Sequence, residues 1–429
     1  MRGLLYADPC FLKGIYMLKA AGITAEYNPL HNGHVYHIEE TRRATGCDAV
    51  IVAMSGDYVQ RGEPAILDKW TRTEHALMSG ADLVIEIPVL FCLGNAGQYA
   101  RAAVKLLEAT GKVSHISFGS ESGDKDALIR IAHTLRDNEE EIEAAVKSIR
   151  NKGFSYPAAR AIAYSGVRAS IKGTDPDTDP EILSDISILD KANDILAIEY
   201  IKVMEKAEPV VIIREGAGYG DPYDERTLYQ SSSAIRAQTL SGKDLSEHVP
   251  ECTAKSLREC HLTGPDRDKW FDILRYAVLS ADEETIEDCP SGGEGLAYLM
   301  KENAGSAESW SAFIRQIKSK RYTYTRLSRL CMQLVLAINR KKYNMENPEY
   351  IRVLGFNKKG RALLSEMRDE ETASLPVITN VNKNATALDW KAKRLLDLDI
   401  HSANIYNLLT KGDTDICNDY RQLPVMIRE

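Results

Sequence analysis

From residue 20 to residue 135 the chain alternates short apolar runs with segments of helical spacing, and this alternation narrows the fold more than any other feature. The runs at 20–25, 49–54, 83–87, 113–118 and, later, 210–213 are short and bounded by polar or glycine-containing stretches, so they read as strands. Between them, 33–45, 69–79, 96–109 and 126–135 space their apolar residues as amphipathic helices do. Strands that alternate with helices pair in parallel, with helices on both faces of the sheet. Ligands of such sheets sit beyond the carboxyl ends of the strands. Residues 26–34, 55–62 and 119–124 each follow a strand and can therefore share one crevice.

Residues 137–207 look mainly helical, with a polar break at 173–180, and a helix is expected from Ala234 after Gln230-Ser231-Ser232-Ser233. From about residue 241 the spacing stays helical to at least residue 342. The change divides the chain into an α/β domain, 17–240, and a mainly helical C-terminal domain, 241–429. Residues 1–16, ahead of Met17, are basic and partly apolar. Asp8 and Pro9 interrupt them and no small-residue cleavage site follows, so they read as a non-essential extension. The chain has no run of about twenty apolar residues, the length a membrane-spanning helix needs. The eight cysteines are scattered without a C-x-x-C pair, as in proteins of the reducing cytoplasm.

The turn after the first strand reads His31-Asn32-Gly33-His34 and opens a helix. Backbone N–H groups and the dipole at a helix start favour anions. Gly33 lets the backbone approach a phosphate, and two imidazoles three positions apart can both donate to oxygens that gain charge during nucleotidyl transfer. A zinc site would need further His or Cys at ligand spacing, and none lies nearby, so no metal site is expected. Ser55-Gly56-Asp57 through Arg61-Gly62 follow the second strand, and Arg61, Lys69 and Arg72 could neutralise a leaving pyrophosphate or simply lie on a solvated face. Ser232 and Arg236 are further phosphate candidates, with an ordinary serine N-cap as the alternative. Asn193 is either a ligand or an N-cap, while Arg214 ends an apolar strand where it can face the crevice mouth. Glu26 closes the first strand, where it could orient a base, a cation or Mg2+.

Net charge is −8, which argues against indiscriminate nucleic-acid binding. Between residues 315 and 361, however, thirteen Lys or Arg face two Glu, a local +11 that leaves −19 on the remainder. Lys318, Lys320, Arg321, Arg326 and Arg329 interleave with Tyr322 and Tyr324, and Lys358, Lys359 and Arg361 extend the block. Cations reach phosphates and tyrosines stack on bases, so this segment favours RNA contact over a merely solvated face.

The stretch EYNPLHNGHVYH (26–37) resembles the H-x-G-H nucleotidyltransferase superfamily, and the likeness extends further. MSGDYVQRGEPAILDKWTR (54–72), GADLVIEIP (80–88), KGFSYPAARA (152–161), KRYTYTRLSRL (320–330) and YIRVLGFNKKG (350–360) are similar to the tRNA(Met) cytidine acetate ligase family. The resemblance implies a Rossmann-like nucleotidyltransferase domain followed by a helical RNA-binding domain. It implies that acetate is activated with ATP as acetyladenylate and transferred to N4 of the wobble cytidine, position 34, of elongator tRNA(Met). ATP is then a substrate used with Mg2+, with no tightly bound cofactor, and the enzyme works in the cytoplasm. His31 and His34 become the catalytic pair. ATP contacts are expected from Thr24, Ala25, Glu26, Tyr27, Asn28, Pro29, Leu30, His31, Asn32, Gly33, His34, Val35, Tyr36, His37, Gly119, Asn193 and Arg214. tRNA contacts are expected from Lys320, Arg321, Tyr322, Arg326, Arg329, Lys358 and Lys359. The serine element departs mildly from the superfamily pattern, with Ser233-Ala234 where Ser-Thr is usual. A small-molecule adenylyltransferase is the alternative on the same site, and an RNA-binding protein with a degenerate nucleotide site is a third reading.

Overall fold

The computed structural model describes residues 17–216, 223–224, 226–227, 229–260, 267–319, 321–369, 371–412 and 418–427. The expected extension at 1–16 and Lys320 lie outside the described residues. The predicted strands form Ala20–Ala25 (β1), Ala49–Ser55 (β2), Leu83–Ile87 (β3), Val113–Ser120 (β4) and Glu208–Ile213 (β5). They pair in parallel in the order β3-β2-β1-β4-β5, with Thr24 opposite Ala53 and Ile51 opposite Leu83. Helices connect them: Asn32–Thr45 (α1), Lys69–Met78 (α2), Ala96–Ala109 (α3) and Lys125–Asp137 (α4). Tyr156–Lys172 (α5) and Ala192–Val203 (α6) follow before β5.

Every residue of β2 and β3 is buried, which explains their unbroken apolar texture. The two-residue period then sends neighbours to opposite cores. Val50, Val52 and Met54 pack with Ile38 of α1 and Ala76 and Leu77 of α2. Ala49, Ile51 and Ala53 pack with Val104, Leu106 and Leu107 of α3. Burying these side chains contributes about 1.5–3 kcal/mol for each Val, Leu or Ile.

The chain beyond residue 241 is mainly helical, as its spacing predicts, and includes Tyr324–Val335 (α8). It then returns to the sheet. Ile351–Phe356 (β6) pairs antiparallel with β3, and Val377–Ile378 (β7) and Val425–Met426 (β8) pair with β6 in parallel. The change of texture at 241 therefore does not bound the sheet. Lys358–Asp369 (α9) and Trp390–Asn407 (α10) lie between these strands. Because β6 runs opposite to β3, with Phe356 beside Leu83, α9 starts at the amino end of β3. That end is opposite to the crevice.

Candidate functional site

β1 ends at Ala25, and α1 begins six residues after Glu26. His31 is the N-cap, with extended backbone at φ −140° and ψ 172°. Its Nδ1 accepts the Gly33 N–H at 3.1 Å, and His34 Nδ1 accepts the His31 N–H at 3.2 Å. This is a capping box in which imidazoles replace the usual hydroxyl and carboxylate. The two rings stack with centroids 3.8 Å apart, and Tyr27 meets His34 edge-on at 4.9 Å. A neutral imidazole whose Nδ1 accepts carries its proton on Nε2. Among the described residues neither Nε2 meets a protein partner, so both remain as donors lining the cleft.

Burial and the nearby Arg214 push His31 down to about 3. Burial, His31, Arg214 and His37 hold His34 well below the usual imidazole range, and His37 falls to about 4 for the same reasons of burial and Arg214. His37 Nε2 also lies 3.0 Å from Ser117 Oγ. The histidines are thus neutral donors near pH 7, and guanidinium groups supply the positive charge. A Cβ on Gly33 would stand 3.0 Å from His31 Cε1 and 3.1 Å from its Nδ1, so glycine leaves room for the imidazole to fold over the helix start.

These residues open into a cleft of about 1140 Å³. Of the segment 24–37, the cleft is lined by Thr24, Ala25, Glu26, Tyr27, Asn28, His31, His34 and His37. The others support them. Leu30 is fully buried, Asn32 bonds the carbonyls of Glu247 (3.0 Å) and His248 (3.1 Å), and Tyr36 stacks on Tyr229. Pro29, Gly33 and Val35 likewise do not line it. Gly119 and Arg214 meet at the far wall, where a Cβ on Gly119 would lie 3.0 Å from Arg214 Cγ. Asn193, near the start of α6, donates to Glu121 Oε1 through its side chain (2.6 Å) and its N–H (3.0 Å). Its neighbour Asp194 accepts from Ser120 Oγ at 2.5 Å and from the N–H groups of Glu121 and Ser122. Sequence reasoning passed over Asp194, which shapes the loop after β4 from a helix more than seventy positions away.

Ser232 and Arg236 belong to Ser232–Leu240 (α7), and both line the cleft with Arg61. Ser231 is the N-cap, its Oγ accepting the Ala234 N–H at 3.2 Å, so the serine run caps a helix and faces the cleft at once. Arg236 NH1 donates to the Asn28 carbonyl at 2.6 Å and clamps the turn before His31.

Lys69 and Arg72 neither line the cleft nor lie on a solvated face, so neither alternative left open by the sequence holds for them. Arg72 is fully buried and spends its guanidinium on the carbonyls of Glu26, Ser55, Gly56 and Leu67. Lys69 Nζ sits 2.9 Å from Glu86 and 2.8 Å from Asp419, inside a buried cage completed by Arg352. The amphipathic spacing of α2 placed both on a helix, but only the tertiary fold turns them inward.

The basic block divides. Arg321, Arg326 and Arg329 line the cleft with Thr323 and Thr325, Arg321 just before α8, Arg326 in its first turn and Arg329 one turn further on. Arg321 is exposed. Arg326 pairs with Glu294 at 3.1 Å and bonds the carbonyls of Ser291 and Gly292. Arg329 NH1 reaches the Gln60 carbonyl at 3.3 Å, and burial near Arg326 and Arg61 lowers its pKa to about 10. Tyr322 is only 5% exposed and donates its hydroxyl to the Glu294 carbonyl, which holds its ring away from a base, whereas Tyr324 is 38% exposed. Lys358 and Lys359 are exposed at the amino end of the strands, away from the cleft. Gly62 joins the two parts. Its φ is +78°, and a Cβ there would lie 2.3 Å from the Arg329 backbone nitrogen.

A mostly parallel sheet with paired neutral imidazoles at its first helix start, ringed by arginines, defines an α/β nucleotidyltransferase. The model of the HIGH Nucleotidyl Transferase family matches residues 18–419. A tRNA(Met) cytidine acetate ligase of Clostridium perfringens is 36% identical over 423 residues, covering 96% of this chain and 100% of that one. A Clostridium acetobutylicum protein of the same name is also 36% identical over 423 residues, covering 95% and 100%. The crystal structure of apo Thermotoga maritima TmcAL gives a TM-score of 0.87 at 33% identity, over 96% of this chain and 100% of that chain. Its form bound with alpha-thio ATP gives 0.84 at 33% identity over the same shares. The chain belongs to the HIGH nucleotidyl transferase family and, within it, to the tRNA(Met) cytidine acetate ligase family.

Proposed function

We propose that this chain is an ATP-dependent ligase that activates acetate as acetyladenylate and transfers the acetyl group to N4 of the wobble cytidine of elongator tRNA(Met). The observation that carries this reading is the shared cleft, which joins the histidine pair to the basic start of α8. Its volume of about 1140 Å³ exceeds the roughly 300–1,000 Å³ usual for one small ligand, leaving room for an adenylate and an inserted base.

In the first step an acetate oxygen attacks the α-phosphorus of ATP and pyrophosphate leaves. The Nε2–H groups of His31 and His34 donate to phosphate oxygens as charge shifts, with the α1 N-terminus behind them. Arg61, Ser232 and Arg236 face the polyphosphate, while Gly119, Asn193 and Arg214 hold the nucleoside end. In the second step the cytidine amine attacks the acyl carbon and AMP leaves. Arg321, Arg326 and Arg329 meet RNA phosphates at the rim. Lys358 and Lys359 reach only a more distant part of a bound tRNA.

Mg2+ would arrive with the triphosphate. Among the described residues no three His, Cys, Asp or Glu side chains form a cation cage, and no step here is routed through the ion. No described helix is long and apolar enough to cross a membrane, and the cytoplasm, where tRNA is modified, is the proposed location.

Pyrophosphate release from ATP and acetate, followed by nucleoside analysis of the tRNA, tests the proposal. Acetate-dependent release with N4-acetylcytidine at position 34 is expected. Release that depends on a phosphorylated small molecule instead would identify a small-molecule adenylyltransferase, and no turnover would leave an RNA-binding protein.

A further inference from the structure

Acyl transfer to an exocyclic amine needs somewhere to put a proton, and the histidines are poorly suited to take it. Each already carries its proton on Nε2, and each Nδ1 is occupied by a backbone N–H of the capping box. Accepting a proton there would break the cap. His37 is held against Ser117.

Glu26 has the opposite character. It closes β1 and lines the same cleft as His31 and His34. Its Oε1 accepts the Gln60 N–H at 2.8 Å, and among the described residues its Oε2 has no hydrogen-bond partner. The side chain is half-buried and opens toward the cleft. Its backbone is fixed by Arg72, which donates to the Glu26 carbonyl at 2.7 Å. The Gln60 carbonyl in turn takes Arg329 from the rim helix, so the carboxylate stands between the adenylate site and the RNA-facing side.

We propose that Glu26 is the proton acceptor of the acyl-transfer step, an assignment that rests on the ligase reading above. The N4 lone pair forms the C–N bond to the acetyl carbon. The bond from that carbon to the phosphate oxygen breaks, and AMP leaves with the electron pair. The N4 proton passes to Glu26 Oε2. The amine becomes acidic only as the C–N bond forms, so a base fixed at this place acts in the transition state.

The surrounding charges suit this role. Burial raises the Glu26 pKa, and the Gln60 N–H, Arg236, Arg61 and Arg72 oppose the rise. Cys92, Tyr99 and Tyr200, which feel its charge from behind, are themselves pushed upward by burial and stay neutral. A carboxylate raised toward the working pH is a stronger base than an exposed one.

The test separates the two half-reactions in wild type, Glu26→Gln and Glu26→Asp. Acetate-dependent ATP–pyrophosphate exchange reads the first, and single-turnover transfer from preformed acetyladenylate to elongator tRNA(Met) reads the second. Glu26→Gln should lower transfer about 100-fold or more beyond any effect on exchange, within the usual range for a lost general base. Hydroxylamine, a strong nucleophile that needs no base, should trap acetyladenylate on Glu26→Gln in proportion to that variant's exchange activity, and Glu26→Asp should restore part of the transfer. Wild-type transfer should rise with pH and level off as Glu26 ionises, whereas the Gln variant should lack that limb. Equal losses in both half-reactions, unimpaired transfer by Glu26→Gln, or a wild-type profile without the limb would overturn the assignment. Wild-type protein without acetate-dependent exchange would instead overturn the ligase reading itself.

Discussion

Gly33→Ala offers a sharp test of the histidine geometry, because its effects on stability and on chemistry diverge. The added methyl would sit 3.0 Å from His31 Cε1 and 3.1 Å from Nδ1, closer than ordinary contact. The imidazole cannot slide away freely, since it stacks on His34 at 3.8 Å and caps the Gly33 N–H. Losing the cap costs about 1 kcal/mol, while Ala in place of Gly within a helix returns about 0.5–1 kcal/mol. Net stability should therefore change by no more than about 1 kcal/mol. Displacing His31 by a fraction of an ångström to an ångström should slow acetate-dependent ATP–pyrophosphate exchange about 10- to 100-fold, or about 1.4–2.7 kcal/mol of barrier. Urea unfolding and exchange kinetics on the same preparation measure both quantities. Gly166→Ala, in α5, is the control: its added methyl would meet nothing within 4 Å, so it should be neutral or slightly stabilising. Full exchange activity in Gly33→Ala, or a loss explained wholly by unfolding, would refute the reasoning.

Lys69→Met removes a cation held between Glu86 and Asp419, and leaving those carboxylates underpaired should cost about 3–5 kcal/mol in urea unfolding; a cost below about 1 kcal/mol would refute the buried cage. His31, pushed down to about 3, titrates near 6.5 when unfolded, so the folded state binds fewer protons. Its contribution is complete above about pH 6.5 and is lost as pH falls toward 3, about 2 kcal/mol of it by pH 5. The stability difference between wild type and His31→Asn should shrink by that amount from pH 7.5 to pH 5, whereas parallel profiles would show that the imidazole is not held neutral. Arg321→Glu should raise the KM for tRNA and reduce the salt dependence of binding by about one charge contact or more, with exchange little affected. Lys358→Glu should do so much less, and equal effects would place the RNA across the opposite end of the sheet.

Much of the fold was legible in the chain. Both bounds of 20–25 and 83–87 were readable, because strands buried on both faces need continuous apolar runs that end where the chain meets polar loops. β6, β7 and β8 were not readable. β7 and β8 are two residues long, and β6 lies in a basic segment whose strand character comes from pairing with β3. The His31–His34 pair was readable because local spacing makes the capping box. The cleft walls from α5 and α6 and the loop support by Asp194 were not, since each depends on residues distant in sequence.

Local sequence sets the alternating α/β order, the helix start that carries two histidines, and the residue types able to meet a triphosphate and RNA. These follow from local rules, apolar period and backbone capping, which act within a few residues. Which cations reach the cleft depends on folding. It buried Lys69 and Arg352 among carboxylates, spent Arg72 on carbonyls, sent Lys358 and Lys359 to the far end of the sheet, and brought Arg321 and Arg329 to the cleft. A charge acts through its distance and its dielectric surroundings, and neither exists until the chain has folded.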